Sequence, residues 1–202
     1  MNLFFDTEFT GLHKNTTLIS IGIISEDGRF FYGESMDFDK NQIDEWLQKN
    51  VIDNLLYNNK EGYYSSEELY GNFSMNSFDY NYRSQNPDID PYSNYNTRMK
   101  GTINELSRDL RLWLDQFDDV TIWSDCLSYD WVLFNDLFGT AFDIPKQVYY
   151  IPFDICTLFK VKGIDPDISR EAFIDNKIDG EKHNSLYDAK VIKACYDKLI
   201  KL

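Results

Sequence analysis

The sequence predicts an α/β fold in which helices lie on both faces of a mixed central sheet. Three observations lead to this prediction. The chain opens with an apolar strand, Leu3-Phe4-Phe5, and two further strand-like segments joined by a tight turn come next. The second half of the chain alternates between helical and strand-like segments. A β-hairpin followed by alternating helices and strands is typical of helices packed on a mixed sheet.

The predicted hairpin consists of residues 17–24 and 29–32. Its first segment, TLISIGII, is β-branched and largely apolar, and the sequence Glu26-Asp27-Gly28 supplies the turn before the second segment, RFFY. Residues 41–51 follow with apolar residues at helical spacing, so we expect a helix there.

Residues 57–97 differ in character from the rest of the chain. They are rich in Asn, Tyr, Ser and Asp and poor in aliphatic residues, although their aromatic residues argue against full disorder. We interpret this stretch as an insertion with little regular structure in a single domain that spans residues 1–202. Its aromatic side chains either pack the insertion onto the domain or stack on unpaired bases.

The second half of the chain predicts regular elements by its apolar spacing. A helix is expected where leucines form one stripe, and a strand where β-branched and aromatic residues cluster. Asp154 is placed to cap the helix that follows it. The expected elements are helix 102–117, strand 120–123, a helix with Leu133, Phe134 and Leu137 on one face, strand 148–153, helix 155–161 and helix 185–199.

Composition limits the classes of function. The net charge of −14 argues against a passive nucleic-acid binder, which would usually be basic. The three cysteines form no CxxC pair and leave an odd count, which argues for reduced thiols and against a zinc site. The N-terminus lacks the pattern of a signal peptide, and no stretch approaches the roughly 18 apolar residues of a membrane span. We therefore expect a cytoplasmic protein that does not cross a membrane.

Asp6 and Glu8 are the most informative pair in the chain. Side chains on a strand alternate between faces, so these two carboxylates point the same way, roughly 6.6 Å apart along the strand. Carboxylate oxygen is the ligand that Mg²⁺ and Mn²⁺ prefer. A chain with 24 Asp and 10 Glu produces such a pair by chance about once. Its place directly after an apolar N-terminal strand favours a metal role.

Two further places carry candidate site residues, and each also has a structural explanation. Asp130 follows a predicted strand at the start of a helix, where a negative charge is favourable in any case. His183 precedes Asp188 by five residues, and the sequence Ser185-x-x-Asp188 fits a helix capping box. With Ser185 as the N-cap, His183 lies on the loop and Asp188 in the first helical turn, so both can face one site.

The order of these motifs resembles that of the DEDDh 3′–5′ exonucleases, which have a ribonuclease H-like fold. The opening DTEFTGL is similar to the first motif of that family, and FFDTEF, TLISIGIISEDGRFFY, YDWVLFNDLFG and HNSLYDAK resemble the exoribonucleases of the RNase AS type. The resemblance covers both ends of the chain and leaves the insertion outside it.

The resemblance implies a role for each matching residue. It implies that Asp6, Glu8, Asp130 and Asp188 hold two Mg²⁺ or Mn²⁺ ions and that His183 is the general base. Phe9, Thr10 and Leu12 match positions that contact the terminal nucleotide. The implied substrate is the 3′ end of single-stranded RNA, the implied products are nucleoside monophosphates, and the resemblance suggests a homodimer.

Several alternatives stay open from the sequence. Many relatives carry an Asn a few residues before the second-motif Asp, whereas this chain has Asp125, which makes Asp125 a rival metal ligand. Arg98 and Lys100 are candidate phosphate contacts. The substrate could be DNA instead of RNA. The chain could also be a non-catalytic module of exonuclease-like fold, although such a module would not require four acids and a histidine in this order.

Overall fold

The computed structural model describes residues 1–57, 96–175 and 177–202, which form a six-stranded mixed sheet flanked by helices. The strand order across the sheet is β4-β3-β2-β1-β5-β6. The strands are β1 (Asn2–Phe9), β2 (Leu18–Ser25), β3 (Phe30–Ser35), β4 (Thr97–Gly101), β5 (Thr121–Ser124) and β6 (Phe153–Asp154).

Strand β1 lies in the middle of the sheet and sets up the site. It pairs antiparallel with β2, where Asp6 lies opposite Gly22, and parallel with β5. Because side chains alternate along a strand, Phe4, Asp6 and Glu8 share one face of the sheet. The carboxyl ends of β1 and β5 meet at the same edge, so residues that follow β5 come close to Asp6.

Helices cover both faces of the sheet, as the sequence predicts. Leu3 and Phe5 belong to an apolar cluster with α2 and α3, and Phe4 to a second cluster with α4, α5 and α6. The helices are α1 (Glu45–Asn50), α2 (Ile103–Leu114), α3 (Leu127–Leu137), α4 (Ile155–Val161), α5 (Arg170–Phe173) and α6 (Ser185–Leu199), with 3-10 turns at Lys40–Gln42 and Ile52–Asn54. No helix in the described ranges is long and apolar enough to span a bilayer.

Two predicted elements differ from the structure for identifiable reasons. The helix expected over residues 41–51 is divided into a 3-10 turn and α1, because Asp39 and Asp44 each cap a separate helical start. The strand expected over residues 148–153 contacts the sheet only at its ends, by an isolated bridge at Val148 and by β6.

The interior of the predicted insertion at about residues 57–97 lies outside the described residues. The two roles proposed for its aromatic side chains fall on that interior and stay predictions. Both flanks of it are described. The Tyr57 amide donates to the Glu34 carboxylate (3.1 Å), and the Phe30 amide donates to the Asn96 side chain (3.1 Å). Strand β4, which the sequence did not predict, follows at once and pairs parallel with β3. That all 202 residues form a single domain stays a prediction.

Candidate metal centre

The first of two groups of candidate ligands lies at the carboxyl ends of β1 and β5. One carboxylate oxygen from each of Asp6, Asp125 and Asp130 lies within 4.8 Å of the others, and we call these three residues the β5-side group. Asp6 comes from β1, Asp125 directly follows β5, and Asp130 is in the first turn of α3. The parallel pairing of β1 with β5 therefore brings the first and second sequence motifs together.

Hydrogen bonds from the sheet fix the carboxylate of Asp130. It accepts from the Thr7 hydroxyl (2.6 Å), from the Thr7 amide (3.3 Å) and from the Ser124 hydroxyl. Asp6 is different, because its buried Oδ2 atom has no hydrogen-bond partner among the described residues. A buried oxygen without a donor is costly unless something else compensates for it, and a cation would do so.

The second group of ligands forms at the start of α6. Ligand atoms of Glu8, His183 and Asp188 lie within 4.8 Å of one another, and we call these three residues the α6-side group. His183 lies on the loop before α6 with a φ of 63°, and Asp188 lies in the first turn, where it accepts from the His183 amide (2.8 Å). The structure therefore places every candidate metal ligand and the candidate base in one of these two groups.

The N-cap of α6 is Asn184, so the prediction that Ser185 caps this helix was wrong. The Asn184 side chain accepts from the Tyr187 amide (3.3 Å) and donates to the Asn54 carbonyl (3.2 Å). Ser185 is instead the first helical residue, and its hydroxyl lies 3.0 Å from that of Ser20 on β2. The expected placement of His183 on the loop and Asp188 in the first turn is nevertheless the one observed.

Gly22 allows α6 to lie against the sheet beside Asp6. A Cβ atom at this position would lie 2.2 Å from the Leu186 amide nitrogen, so only glycine permits the observed approach. Gly22 was not among the predicted site residues, although a glycine inside a strand pattern signals a close backbone approach. Because Gly22 pairs with Asp6, this contact brings the α6-side group next to the β5-side group.

Burial and mutual repulsion make the acids of the site hard to ionise. Burial, followed by repulsion from Asp130 and other neighbouring acids, raises the pKa of Asp6 well above its ordinary value. Burial is also the largest cause that raises the pKa of Glu8 to about 8 and the pKa of Asp130 and Asp188 to about 7. A divalent cation would favour the ionised forms, and a set of oxygen ligands suits Mg²⁺ or Mn²⁺.

The pKa of His183 is shifted in the opposite direction from the pKa values of the acids. Burial, followed by the nearby charge of Lys182, lowers the pKa of His183 below its ordinary value. Both effects disfavour the imidazolium, so the neutral imidazole, which can accept a proton, is the dominant form near neutral pH.

The three predicted substrate-binding residues have different environments. The Phe9 ring is stacked on Tyr129 of α3, with ring centroids 5.3 Å apart, and Leu12 is 73% exposed. Thr10 is buried, and its hydroxyl makes hydrogen bonds within its own turn and to Gln42. Phe9 and Leu12 therefore offer apolar contact area, whereas the Thr10 side chain shapes the turn that carries them.

Asp125 belongs to the β5-side group and also lines a neighbouring pocket. Its carboxylate lies 3.4 Å from the Arg170 guanidinium, and both residues line a cavity of about 220 Å³ that also borders Asp188. Burial raises the pKa of Asp125, and the charge of Arg170 acts against that rise. This ion pair gives Asp125 a charge partner besides any metal.

The two candidate phosphate contacts lie on β4. Arg98 lies over the Phe30 ring, 5.0 Å from its centroid. Lys100 lies 3.9 Å from the Glu34 carboxylate and donates to the Tyr57 carbonyl (3.3 Å). Lys100 therefore has a buried acid as its neighbour.

Sequence reasoning also missed the residues that support the site. Thr7 lies between the two acids of the first motif and Ser124 ends β5, so their places next to the motifs were the only signals. Nothing in the sequence relates Trp46 to His183, yet the two rings lie 5.1 Å apart.

Comparison with known proteins identifies relatives over most of the chain. The model of the Rv2179c-like 3′–5′ exoribonuclease domain matches residues 1–199. The 3′–5′ exoribonuclease Rv2179c of Mycobacterium tuberculosis H37Rv is 40% identical over 164 residues, which cover 81% of this chain and 76% of that protein. The 3′–5′ exoribonuclease MT2234.1 of the CDC 1551 strain matches equally well.

The solved structure of Pop2p shares the fold. Pop2p of S. pombe, in its Mg²⁺- and Mn²⁺-bound form, aligns with a TM-score of 0.52 at 12% identity, over 98% of this chain and 82% of that one. The Pan2 catalytic unit of Neurospora crassa aligns with a TM-score of 0.49 at 15% identity over 99% of this chain, which spans about a quarter (27%) of that larger chain. The predicted ribonuclease H-like fold is confirmed. With its sequence matched from residue 1 to residue 199, this chain belongs to the Rv2179c-like 3′–5′ exoribonuclease domain family.

Proposed function

We propose that this protein hydrolyses single-stranded RNA from its 3′ end and releases nucleoside monophosphates by a two-metal mechanism. Asp6, Glu8, Asp130 and Asp188 would hold two Mg²⁺ or Mn²⁺ ions, and His183 would act as the general base. The observation that carries the proposal is that these five residues lie in two groups of ligand atoms close enough for their acids to repel one another, and that a buried Asp6 oxygen has no partner among the described residues.

The four acids differ in how they would serve as ligands. When bound, the two cations would activate a water molecule and stabilise charge on the attacking and leaving oxygens. Asp130 is oriented in advance by Thr7 and Ser124, and Asp188 by the His183 amide. Asp6 belongs to the β5-side group and would supply an oxygen that no donor among the described residues satisfies. Asp125 stays a rival ligand, because it belongs to the same group as Asp6.

His183 would accept the proton of the attacking water at an imidazole nitrogen. Its lowered pKa favours the neutral form that this step requires. Its place on the loop before α6, directly beside Glu8 and Asp188, puts the ring next to the acids. The same loop position would let the ring move aside when the nucleotide leaves.

The terminal nucleotide would contact Phe9, Thr10 and Leu12. Phe9 is backed by Tyr129, which holds its ring in place, and Leu12 is exposed enough to contact a base. The names of the two mycobacterial relatives support RNA as the substrate. A homodimer and a cytoplasmic location also belong to this proposal, and they rest on the resemblance and on the cysteine usage described above.

A single assay tests the proposal. The protein is incubated with a 3′-tailed RNA and the matching DNA in the presence of Mg²⁺, Mn²⁺ or EDTA, and the products are followed with time. We expect stepwise release of mononucleotides from RNA with either metal and none with EDTA. Equal shortening of DNA would show a less selective exonuclease. Metal-independent binding of RNA without shortening would show a non-catalytic module and refute the proposal.

A further inference from the structure

His183 has a backbone conformation that its surroundings must maintain. Its φ of 63° lies in the left-handed region, which a residue with a Cβ atom adopts at a cost. Such a conformation persists only where the structure on either side holds it. The residues that hold this loop therefore decide where the imidazole lies.

Asn54 is hydrogen-bonded to the residues on both sides of His183. Its side-chain amide donates to the Lys182 carbonyl (3.0 Å), and its own carbonyl accepts from the Asn184 side chain (3.2 Å). A second bond from the same amide to the Asn50 carbonyl (2.7 Å) orients the side chain. Asn54 thus links the loop to the 3-10 turn that follows α1.

This attachment point is anchored in the core. The segment around Asn54 contributes Leu47, Val51, Ile52 and Leu55 to an apolar cluster with Ile19 of β2. The backbone that carries Asn54 is therefore held by burial on the sheet, and the loop is held by that backbone.

Trp46 contacts the His183 ring itself. The two rings lie edge to face, with centroids 5.1 Å apart and an interplanar angle of 71°. Trp46 is 54% exposed and stands outside the apolar cluster that contains its neighbour Leu47. Burial in the core therefore does not explain the position of the indole, whereas contact with the imidazole does.

We propose that Asn54 and Trp46 are positioning residues for the general base, an inference that rests on the proposed function. Asn54 fixes the loop backbone through Lys182 and Asn184, and Trp46 limits the orientation of the imidazole. Among the described residues, Asn54 and Trp46 make their side-chain hydrogen bonds and ring contacts with the His183 loop and with the segment around α1. Neither side chain makes a direct contact of this kind with any of the four acids. Their loss should therefore slow proton transfer more than it weakens metal or RNA binding, because of the four acids only Asp188 accepts a hydrogen bond from the loop, at the His183 amide.

The first test removes the amide of Asn54. Asn54→Ala should lower kcat about tenfold, since a small displacement of a catalytic group has an effect of this order or larger. The KM for RNA should stay at the wild-type value, and the affinity for Mn²⁺ should fall less than kcat does, because Asp188 accepts from the His183 amide while the other three acids lie outside the loop. Asn54→Asp should give a similar loss, because it keeps the size and removes the donor. Gln48→Ala is the matched control, because it removes an amide from the same segment whose partner is Asp53.

The second test asks whether the effect passes through His183. In the His183→Ala background, Asn54→Ala should have no further effect on the residual rate. A tenfold loss in that background would show a general structural role and overturn the inference. Melting temperature and circular dichroism of each variant identify any loss of fold.

Trp46 has its own diagnostic. Trp46→Ala should lower kcat severalfold at unchanged KM, and Trp46→Phe should restore most of the rate. A raised KM with wild-type kcat would show that the indole binds RNA, which contradicts a positioning role.

If wild-type protein does not shorten RNA at all, the proposed function fails. If it does, and Asn54→Ala is as active as wild type, only this inference fails.

Discussion

The two halves of the candidate metal centre are held in different ways. In the β5-side group, Asp130 receives hydrogen bonds from Thr7 and Ser124, which lie on two adjacent strands. In the α6-side group, His183 and Asp188 depend on a loop of unusual backbone conformation and on the approach of a helix to Gly22. Sheet hydrogen bonding fixes one half directly, whereas long-range packing fixes the other. The two halves should therefore respond differently to substitution.

The largest effect should come from removing one acid on either side. We expect Asp6→Ala and Asp188→Ala each to reduce RNA cleavage to background, because both groups are needed to hold the cations. The measurement is mononucleotide release in Mg²⁺, together with a melting curve. Asp136→Ala, at an exposed acid on the same helix as Asp130, serves as the control and should keep full activity. Wild-type turnover by Asp188→Ala would show that the α6-side group is dispensable.

The next effect separates the base from the ligands. His183→Ala should lower kcat by roughly 10²- to 10⁴-fold, the usual range for loss of a general base. Binding of Mn²⁺, measured by calorimetry on the same preparation, should stay near the wild-type value because the four acids remain. A variant that turns over at the wild-type rate would remove His183 from the mechanism.

A smaller effect is expected from the support of the β5-side group. Thr7→Val removes the hydroxyl that donates to Asp130 at 2.6 Å and leaves a buried carboxylate with one donor fewer. The free energy of unfolding should fall by about 1–3 kcal/mol, with a modest loss of activity. Denaturant unfolding measures the first quantity and initial rates the second. Thr121→Val makes the same substitution on β5 and should change neither as much.

The last effect concerns pH and leaves the sequence unchanged. The folded-state pKa values of Glu8, Asp130 and Asp188 are raised to about 8, 7 and 7, so between pH 5 and 8 the folded protein binds more protons than the unfolded chain. The stability of the metal-free protein should therefore fall as pH rises through this window. We expect the melting temperature in EDTA to fall by about 5 °C or more.

The same titration gives a metal-linked control. Mg²⁺ or Mn²⁺ should raise the melting temperature more at pH 8 than at pH 5, because protons compete with the cation at the lower pH. A melting temperature in EDTA that rises steadily from pH 5 to pH 8 would contradict the assignment of raised pKa values to the acids.

Much of the site could be predicted because its acids lie next to strongly patterned segments. The alternation of side chains along β1 put Asp6 and Glu8 on one face, and the apolar run before them indicated a strand. Asp130 and Asp188 each begin a clearly periodic helix. The fold class followed from the same periodicities, since the longer helices and strands show their period, whereas the short α5 and β4 do not.

The features of the fold and the site that the sequence did not predict depend on contacts between residues that are distant in the sequence. Asn184 and Ser185 are both good N-caps, and Asn184 has that role where its amide also reaches Asn54. Strand β4 forms by pairing with β3, a partner far away in the sequence. The stretch 148–153 has the composition of a strand, yet only its ends contact the sheet. Local propensity does not decide any of these three outcomes.

Gly22 has a consequence for how variants of this protein will be interpreted. Position 22 contributes no functional group to the centre, yet any side chain there would collide with the backbone of α6. A library that substitutes every residue should therefore rank this position with the acids, although the cause is steric exclusion and not lost chemistry. Excess metal will rescue a weakened ligand, and it will not make room for a methyl group. A rescue screen at high Mn²⁺ thus distinguishes the proposed ligands of the ions from the glycine that lets the two halves meet.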